Sequence, residues 1–204
     1  MLFEREYQTL AGPLEFVYTD KGSRFLAFAY PVNNETEIKS KLIALKQRYP
    51  DATHHCYAWI LHPDKSAQRV NDDGEPANTA GRPILKQLYA KKLTNVILIV
   101  IRYFGGKKLG IPGLIEAYGT SAELCLQNAH ILTKTLRDHY LVKSAPELEH
   151  EVYNLARRFN AEIFPTDNTS VSGLILAING SKTELFLKEC DKFFKFEIKF
   201  LKTE

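Results

Sequence analysis

Hydrophobic residues recur along the first two thirds of the chain in two alternating rhythms, and the switches between them mark out the elements. Ser23–Val32 (SRFLAFAYPV) is dense in aromatic and aliphatic residues and runs into Pro31, which predicts a strand ending in a turn. Asn33–Thr36 then supplies turn and cap chemistry, and Ile38, Leu42, Leu45 and Tyr49 fall three or four apart, which predicts a helix closed by Pro50. Ala52–Leu61 alternates as a second strand and gives way to a polar run, His62–Glu75. Thr79 stands where a cap is needed ahead of Ile84, Leu85 and Leu88, and Gly81 and Pro83 near the start keep that helix short. Asn95–Phe104 (NVILIVIRYF) has no polar residue from Val96 to Ile101, so it predicts a central strand covered on both faces. After a glycine loop, Leu114, Ala117, Tyr118, Ala122, Cys125 and Leu126 restore helical spacing over Leu114–Ala129.

The remainder changes rhythm. It reads as strand (His139–Val142), helix (Pro146–Phe159), strand (Ala161–Pro165), strand (Ser170–Ile178), helix (Ser181–Cys190) and strand (Phe194–Leu201). That βαββαβ order is the split βαβ arrangement of ferredoxin-like domains, a small sheet with both helices on one face. The expected class is therefore α+β with two domains, residues 1–134 and 135–204. No glycine-rich linker marks the junction, which predicts closely coupled domains.

Composition narrows the function classes without selecting one. The 204 residues carry 27 basic and 24 acidic groups, and a net charge of +3 is too mild to prove a nucleic-acid partner, so the clustering of cations matters more than their sum. The N-terminal stretch MLFEREYQTLAGPLEF lacks a basic region followed by an apolar core, and Val96–Ile101 is far shorter than the roughly 20 residues of a membrane span. A cytoplasmic protein with no membrane partner is expected. Cys56, Cys125 and Cys190 form no C-x-x-C pair, which predicts buried reduced thiols and no zinc ribbon or disulfide framework.

Candidate chemistry concentrates in Asn71–Gly113. In Gly105–Gly113 (GGKKLGIPG), glycines and a following helix suit an anion, but a P-loop needs Lys and Ser or Thr after its last glycine, and the G-x-G-x-x-G spacing is also absent. What survives is a generic anion or nucleic-acid surface of Arg102, Tyr103, Gly105, Gly106, Lys107, Lys108 and Gly110. Arg102 is its expected phosphate clamp, and Tyr103 a stacking face or the end of a core strand. Asp72, Asp73 and Glu75 either bind a hard cation or act as acid and base, or form a turn around Gly74 and Pro76; the turn accounts for them more simply. His54 and His55 are adjacent on a strand, so they point to opposite faces and cannot readily share a metal. Arg157, Arg158, Lys188, Lys192, Lys195 and Lys199 read as a solvated face, since the tail lacks the aromatic signature of an RNA-recognition module.

The motifs Asp72–Pro76 (DDGEP), Thr79–Pro83 (TAGRP) and Arg102–Gly106 (RYFGG), continued by Lys108-Leu109-Gly110 and Tyr118, resemble the Impact family, called YigZ-type in bacteria. Ser23–Val32 and Tyr49–Ala58 (YPDATHHCYA) look like the same family. Within it, His54, His55, Asp72, Asp73, Glu75, Thr79 and Arg82 form the motif-bearing surface. One departure is Ile111-Pro112 between Gly110 and Gly113, where proline is expected to stiffen the loop. The resemblance implies a first domain like the second domain of ribosomal protein S5 and a tail like the last domain of elongation factor G. It implies RNA or the ribosome as partner and a role in regulating translation, with no catalytic residue, metal or cofactor to carry over. Two alternatives stand beside it: a metal-assisted enzyme acting on a phosphorylated small molecule, and a protein-interaction module for a translation factor.

Overall fold

The computed structural model describes residues 5–166, 173–193 and 196–203, which form two compact units. Tyr7–Lys134 make the larger one, and residues from Thr135 onward, with Arg5 and Glu6, make the other.

The first unit runs β1 (Glu6–Leu10), β2 (Leu14–Asp20), β3 (Ser23–Pro31), α1 (Glu35–Arg48), β4 (His54–Leu61), β5 (Ala67–Asn71), α2 (Gly81–Ala90), β6 (Val96–Tyr103), α3 (Gly110–Gln127) and β7 (Ile131–Thr135). A sheet of order β2-β3-β6-β4-β5 is antiparallel at every pairing, and β1 pairs with β7. The aliphatic run is the middle strand, and its residues alternate between two cores. Val96, Leu98 and Val100 pack with Ile84, Leu88, Leu114 and Tyr118 of α2 and α3; Ile97, Ile99 and Ile101 pack with Ile38 and Leu45 of α1. Three layers follow, with α1 on one face of the sheet and α2 and α3 on the other.

The local chemistry explains the ends. The Asn34 side chain accepts from the Glu37 N–H at 2.9 Å while a Glu37 carboxylate oxygen accepts from the Asn33 N–H at 3.0 Å, a reciprocal cap that starts α1. Thr79 does not cap α2. Its hydroxyl donates to the Pro76 carbonyl at 2.7 Å, and the Asp72 carboxylate instead accepts from the N–H groups of Ala80 and Gly81 at 3.0 and 2.9 Å. Nor does Pro112 stiffen a loop: it lies in the first turn of α3, where proline is tolerated. Four strands were not expected from the sequence: β1, β2, β5 inside the polar run, and β7 after α3.

The second unit runs β8 (Arg137–Lys143), a 3-10 turn (Pro146–Leu148), α4 (Glu149–Phe159), β9 (Glu162–Phe164), β10 (Leu174–Asn179), a second 3-10 turn (Gly180–Lys182), α5 (Thr183–Cys190) and β11 (Glu197–Thr203). The sheet order is β11-β8-β10-β9, antiparallel throughout. Val152, Leu155 and Phe159 of α4 and Phe186 and Cys190 of α5 share one core with Tyr140, Val142, Leu176 and Ile178, so both helices cover one face. The expected starts of the third and fourth tail strands, 170–172 and 194–195, lie outside the described residues. Asp138 is buried near the start of β8; burial alone would raise its carboxyl, but hydrogen bonds from Thr183 and Thr203 and the Arg5 guanidinium hold it below the usual range.

Candidate functional site: two loops closed over a buried ion pair

Sheet register starts the site. In the β3–β6–β4 pairing, Phe25, Arg102 and His54 sit in one row and therefore face the same side, toward α3. Into that row comes Glu75, from the loop between β5 and α2. The loop is shaped by its own polar groups. The Asp72 carboxylate also accepts from the Asn78 N–H at 2.9 Å, and the Asp72 carbonyl accepts from the Glu75 N–H at 2.9 Å. Asp73 and Gly74 both take positive φ, +40° and +90°. Asp72 is therefore committed to the turn and to the cap of α2.

The outcome is a closed polar cluster. Glu75, with its side chain 4% exposed, accepts from Arg102 Nη1 at 2.6 Å and from the Tyr118 hydroxyl at 2.8 Å on the same oxygen. Arg102 Nη2 donates to Ser23 Oγ at 3.2 Å, and Ser23 Oγ also accepts from the Gly105 N–H at 3.2 Å. The guanidinium lies 5.5 Å from the Phe25 and Phe104 ring centroids, so aromatic faces share in screening the buried cation. Its Nε has no hydrogen-bond partner. The Cys56 thiol approaches the Asp72 carbonyl at 3.0 Å and the Tyr118 hydroxyl at 3.3 Å; burial above all makes both the thiol and the Tyr118 hydroxyl much weaker acids than usual, with Cys56 adding to the effect on Tyr118 and the Glu75 carboxylate adding to it at both.

The two histidines do diverge. His54 Nδ1 lies 2.8 Å from the Asp73 carbonyl, which can only accept, so that nitrogen carries the proton; Nε2 then stands 3.7 Å from Glu75 Oε1. His55 is buried on the α1 side. Its main-chain N–H donates to Asp73 Oδ2 at 2.7 Å, and the Asp73 carboxylate lies 3.7 Å from Lys46 Nζ. Burial lowers the His55 imidazole below its ordinary value, outweighing the opposite pull of Asp73, and its Nε2 is without a partner.

Several expected ligand groups are engaged internally. Arg102 is paired with Glu75 and so is not an open phosphate clamp. Tyr103 is not a bare stacking face: it points to the α1 side, donates to Asp51 Oδ1 at 2.9 Å and has the Arg24 guanidinium 5.2 Å from its ring centroid. Gly105 serves close packing rather than ligand approach, since a Cβ there would overlap the Gly22 backbone. Gly106 (φ +85°) and Gly110 (φ +73°) do have open space around them, and Lys107 and Lys108 are exposed between them. No side chain caps α3, which leaves the first-turn N–H groups of that helix without a side-chain partner beside the loop. Arg82 is exposed on α2, lining a groove of about 410 Å³ against α3. In the second unit, Arg158 and Lys192 both pair with Glu189, Arg157, Lys188 and Lys199 are exposed, and Lys195 lies outside the described residues.

The two loops thus meet, as an enzyme on a phosphorylated substrate would need, but Glu75 and Arg102 meet each other. Among the described residues no three or more His, Cys, Asp or Glu side chains are grouped to hold a metal ion. Ser23 and Cys56 are the members of the cluster that chemistry-bearing motifs did not point to. Strand parity was the available signal: Cys56 follows His54 by two and so shares its face.

These features define a mixed α+β protein of two units, the first carrying an αβ layer in which an acidic turn is locked to the base of a basic glycine loop. The Impact N-terminal domain family model matches residues 21–126, which contain every member of the buried cluster, and the chain belongs to the Impact family. Its similarity extends beyond that domain. The IMPACT family member YigZ of Escherichia coli is 30% identical over 196 residues, covering 95% of this chain and 96% of its relative. An IMPACT family member of Thermus thermophilus is 47% identical over 107 residues, 52% of this chain and 56% of the relative. A crystal structure described as that of a hypothetical protein superposes with a TM-score of 0.75 at 27% identity, covering 97% of this chain and 98% of the other.

Proposed function

We propose that this chain is a non-enzymatic, cytoplasmic, RNA- or ribosome-associated regulator of translation that meets its partner through the glycine loop between β6 and α3. The family resemblance supplies the translational context. One observation carries the surface: Lys107 and Lys108 are exposed and, among the described residues, without an ion-pair partner, on a loop whose base is held by Arg102–Glu75 and Ser23. Unpaired cations next to an uncapped helix N-terminus suit phosphate oxygens, and phosphate contacts supply most of the affinity of such binding. Arg102 contributes here by fixing the loop from inside. No described helix is long and apolar enough to cross a membrane.

The two units are read in the same frame, the first as a relative of the second domain of ribosomal protein S5, the tail as a ferredoxin-like domain resembling the last domain of elongation factor G. The βαββαβ order with sheet order β11-β8-β10-β9 supports the second reading. The test is co-sedimentation of the chain with ribosomes before and after RNase treatment. Wild type is expected to sediment with ribosomes and to be released by RNase, and Lys107→Ala with Lys108→Ala to stay in the supernatant. Unchanged sedimentation of the double variant rejects the loop as the binding surface, and sedimentation that survives RNase points to a protein partner.

A further inference from the structure

β5 is the last strand of its sheet, paired with β4 on one side only. Beside it, α2 and the strand enclose a groove of about 560 Å³. Val70 and Leu85, both packed on the core, give it an apolar floor. Arg69, Arg82 and Lys86 stand around that floor, no carboxylate lines it, and none of the three cations has an ion-pair partner among the described residues. At one end Tyr89, 41% exposed, donates to Gln68 at 2.7 Å, with Lys65 Nζ 5.3 Å from its ring centroid. At the other, Gly81 packs so tightly on Val70 and Asn71 that a Cβ would lie 2.8 Å from the Asn71 nitrogen. The adjoining groove between α2 and α3 shares Arg82 and Lys86 but adds Glu116 and Glu123, so the uniformly positive field belongs to the β5 side.

We propose that this groove receives an extended acidic segment of a partner protein, added to the free edge of β5 as a sixth strand of the five-stranded sheet. The free edge offers main-chain donors and acceptors at strand spacing, which a peptide backbone matches and a sugar-phosphate backbone does not. Side chains on the α2 face of the added strand would reach the Val70–Leu85 floor, and a carboxylate among them would meet Arg82 or Lys86, while carboxylates on the opposite face would meet Arg69. A charged residue in the middle of an edge strand ordinarily guards against pairing with copies of itself. Here Arg69 does so toward neutral and basic strands and becomes the recognition element for an acidic one. The groove does not include Lys107 or Lys108, so this surface stands or falls independently of the glycine loop.

The test uses the full chain and a fluorescein-labelled peptide of repeating Val-Val-Glu-Glu, which places both residue types on each face of an extended strand, read by anisotropy and by hydrogen exchange of the β5 amides. Saturable binding is expected, with added protection at Gln68–Val70. The same peptide with a central proline, which cannot donate to the ladder, is expected to bind roughly tenfold more weakly or worse. Arg82→Glu with Lys86→Glu, both on the exposed face of α2, is expected to weaken the acidic peptide by a similar factor. Absence of saturable binding, equal affinity of the proline peptide, indifference to the charge reversal, or binding without β5 protection each overturns the proposal. A labelled oligouridylate that binds wild type and loses the charge-reversed variant, where the peptide does not bind, assigns the groove to nucleic acid instead.

Discussion

Arg102 carries the clearest energetic consequence at the residue scale. A buried ion pair is close to neutral against a well-packed apolar replacement, whereas removing one partner strands the other charge in the interior. Arg102→Ala is therefore expected to cost about 3–5 kcal/mol of unfolding free energy, read from denaturant midpoints. Arg102→Met combined with Glu75→Leu should cost clearly less than that single change, although the Tyr118 hydroxyl then loses its acceptor. Equal losses would show that the pair is not the source of the cost. His55 makes a prediction in pH. Its folded-state value is lowered from 6.5 by burial, so the unfolded chain binds the extra proton first. The stability that neutral His55 contributes is then complete above pH 6.5 and is lost as pH falls toward the lowered folded value. His55→Gln should flatten that part of the stability profile; an unchanged slope places it on other groups. The Glu75–Arg102 pairing was not readable from spacing, because the two lie 27 residues apart and only the sheet register brings them together.

At the scale of elements, the β6 strand was legible and the β5 strand was not, for physical reasons. An unbroken aliphatic run states its own burial on both faces, while AQRVN at a sheet edge packs only Val70 on one core and the small Ala67 on the other and otherwise reads as loop. The cap of α2 escapes a reading of neighbouring residues because its carboxylate comes from Asp72, nine residues ahead of Gly81. Asp72→Ala is expected to cost about 1–2 kcal/mol as the α2 N–H groups lose their acceptor, measured by thermal or chemical denaturation. The glycine loop divides by role. Gly105→Ala must move the Gly22 backbone and should cost more than Gly106→Ala, which meets open space and costs only the roughly 1–2 kcal/mol of a left-handed backbone. The reverse ranking would mean that Gly105 is not packed as described.

For the whole molecule, the motifs that look catalytic in one dimension turn into a fastening in three. DDGEP supplies a turn, a helix cap and the buried Glu75; RYFGG supplies the Arg102 counter-charge and the close packing of Gly105; what they hold in place is a short basic loop at the surface. That a basic glycine loop follows β6 could be read from the sequence, but which of its cations stay free could not, because that depends on which carboxylate folds back onto which strand. The central claim is that Lys107 and Lys108 meet phosphates, and the salt dependence of RNA binding tests it most directly. Plotted as log association constant against log salt concentration for a labelled oligouridylate, the Lys107→Ala/Lys108→Ala line should be shallower than wild type by about 1.4, roughly 0.7 for each single-strand phosphate that is no longer neutralised. Two lines of equal slope and equal affinity would contradict the claim.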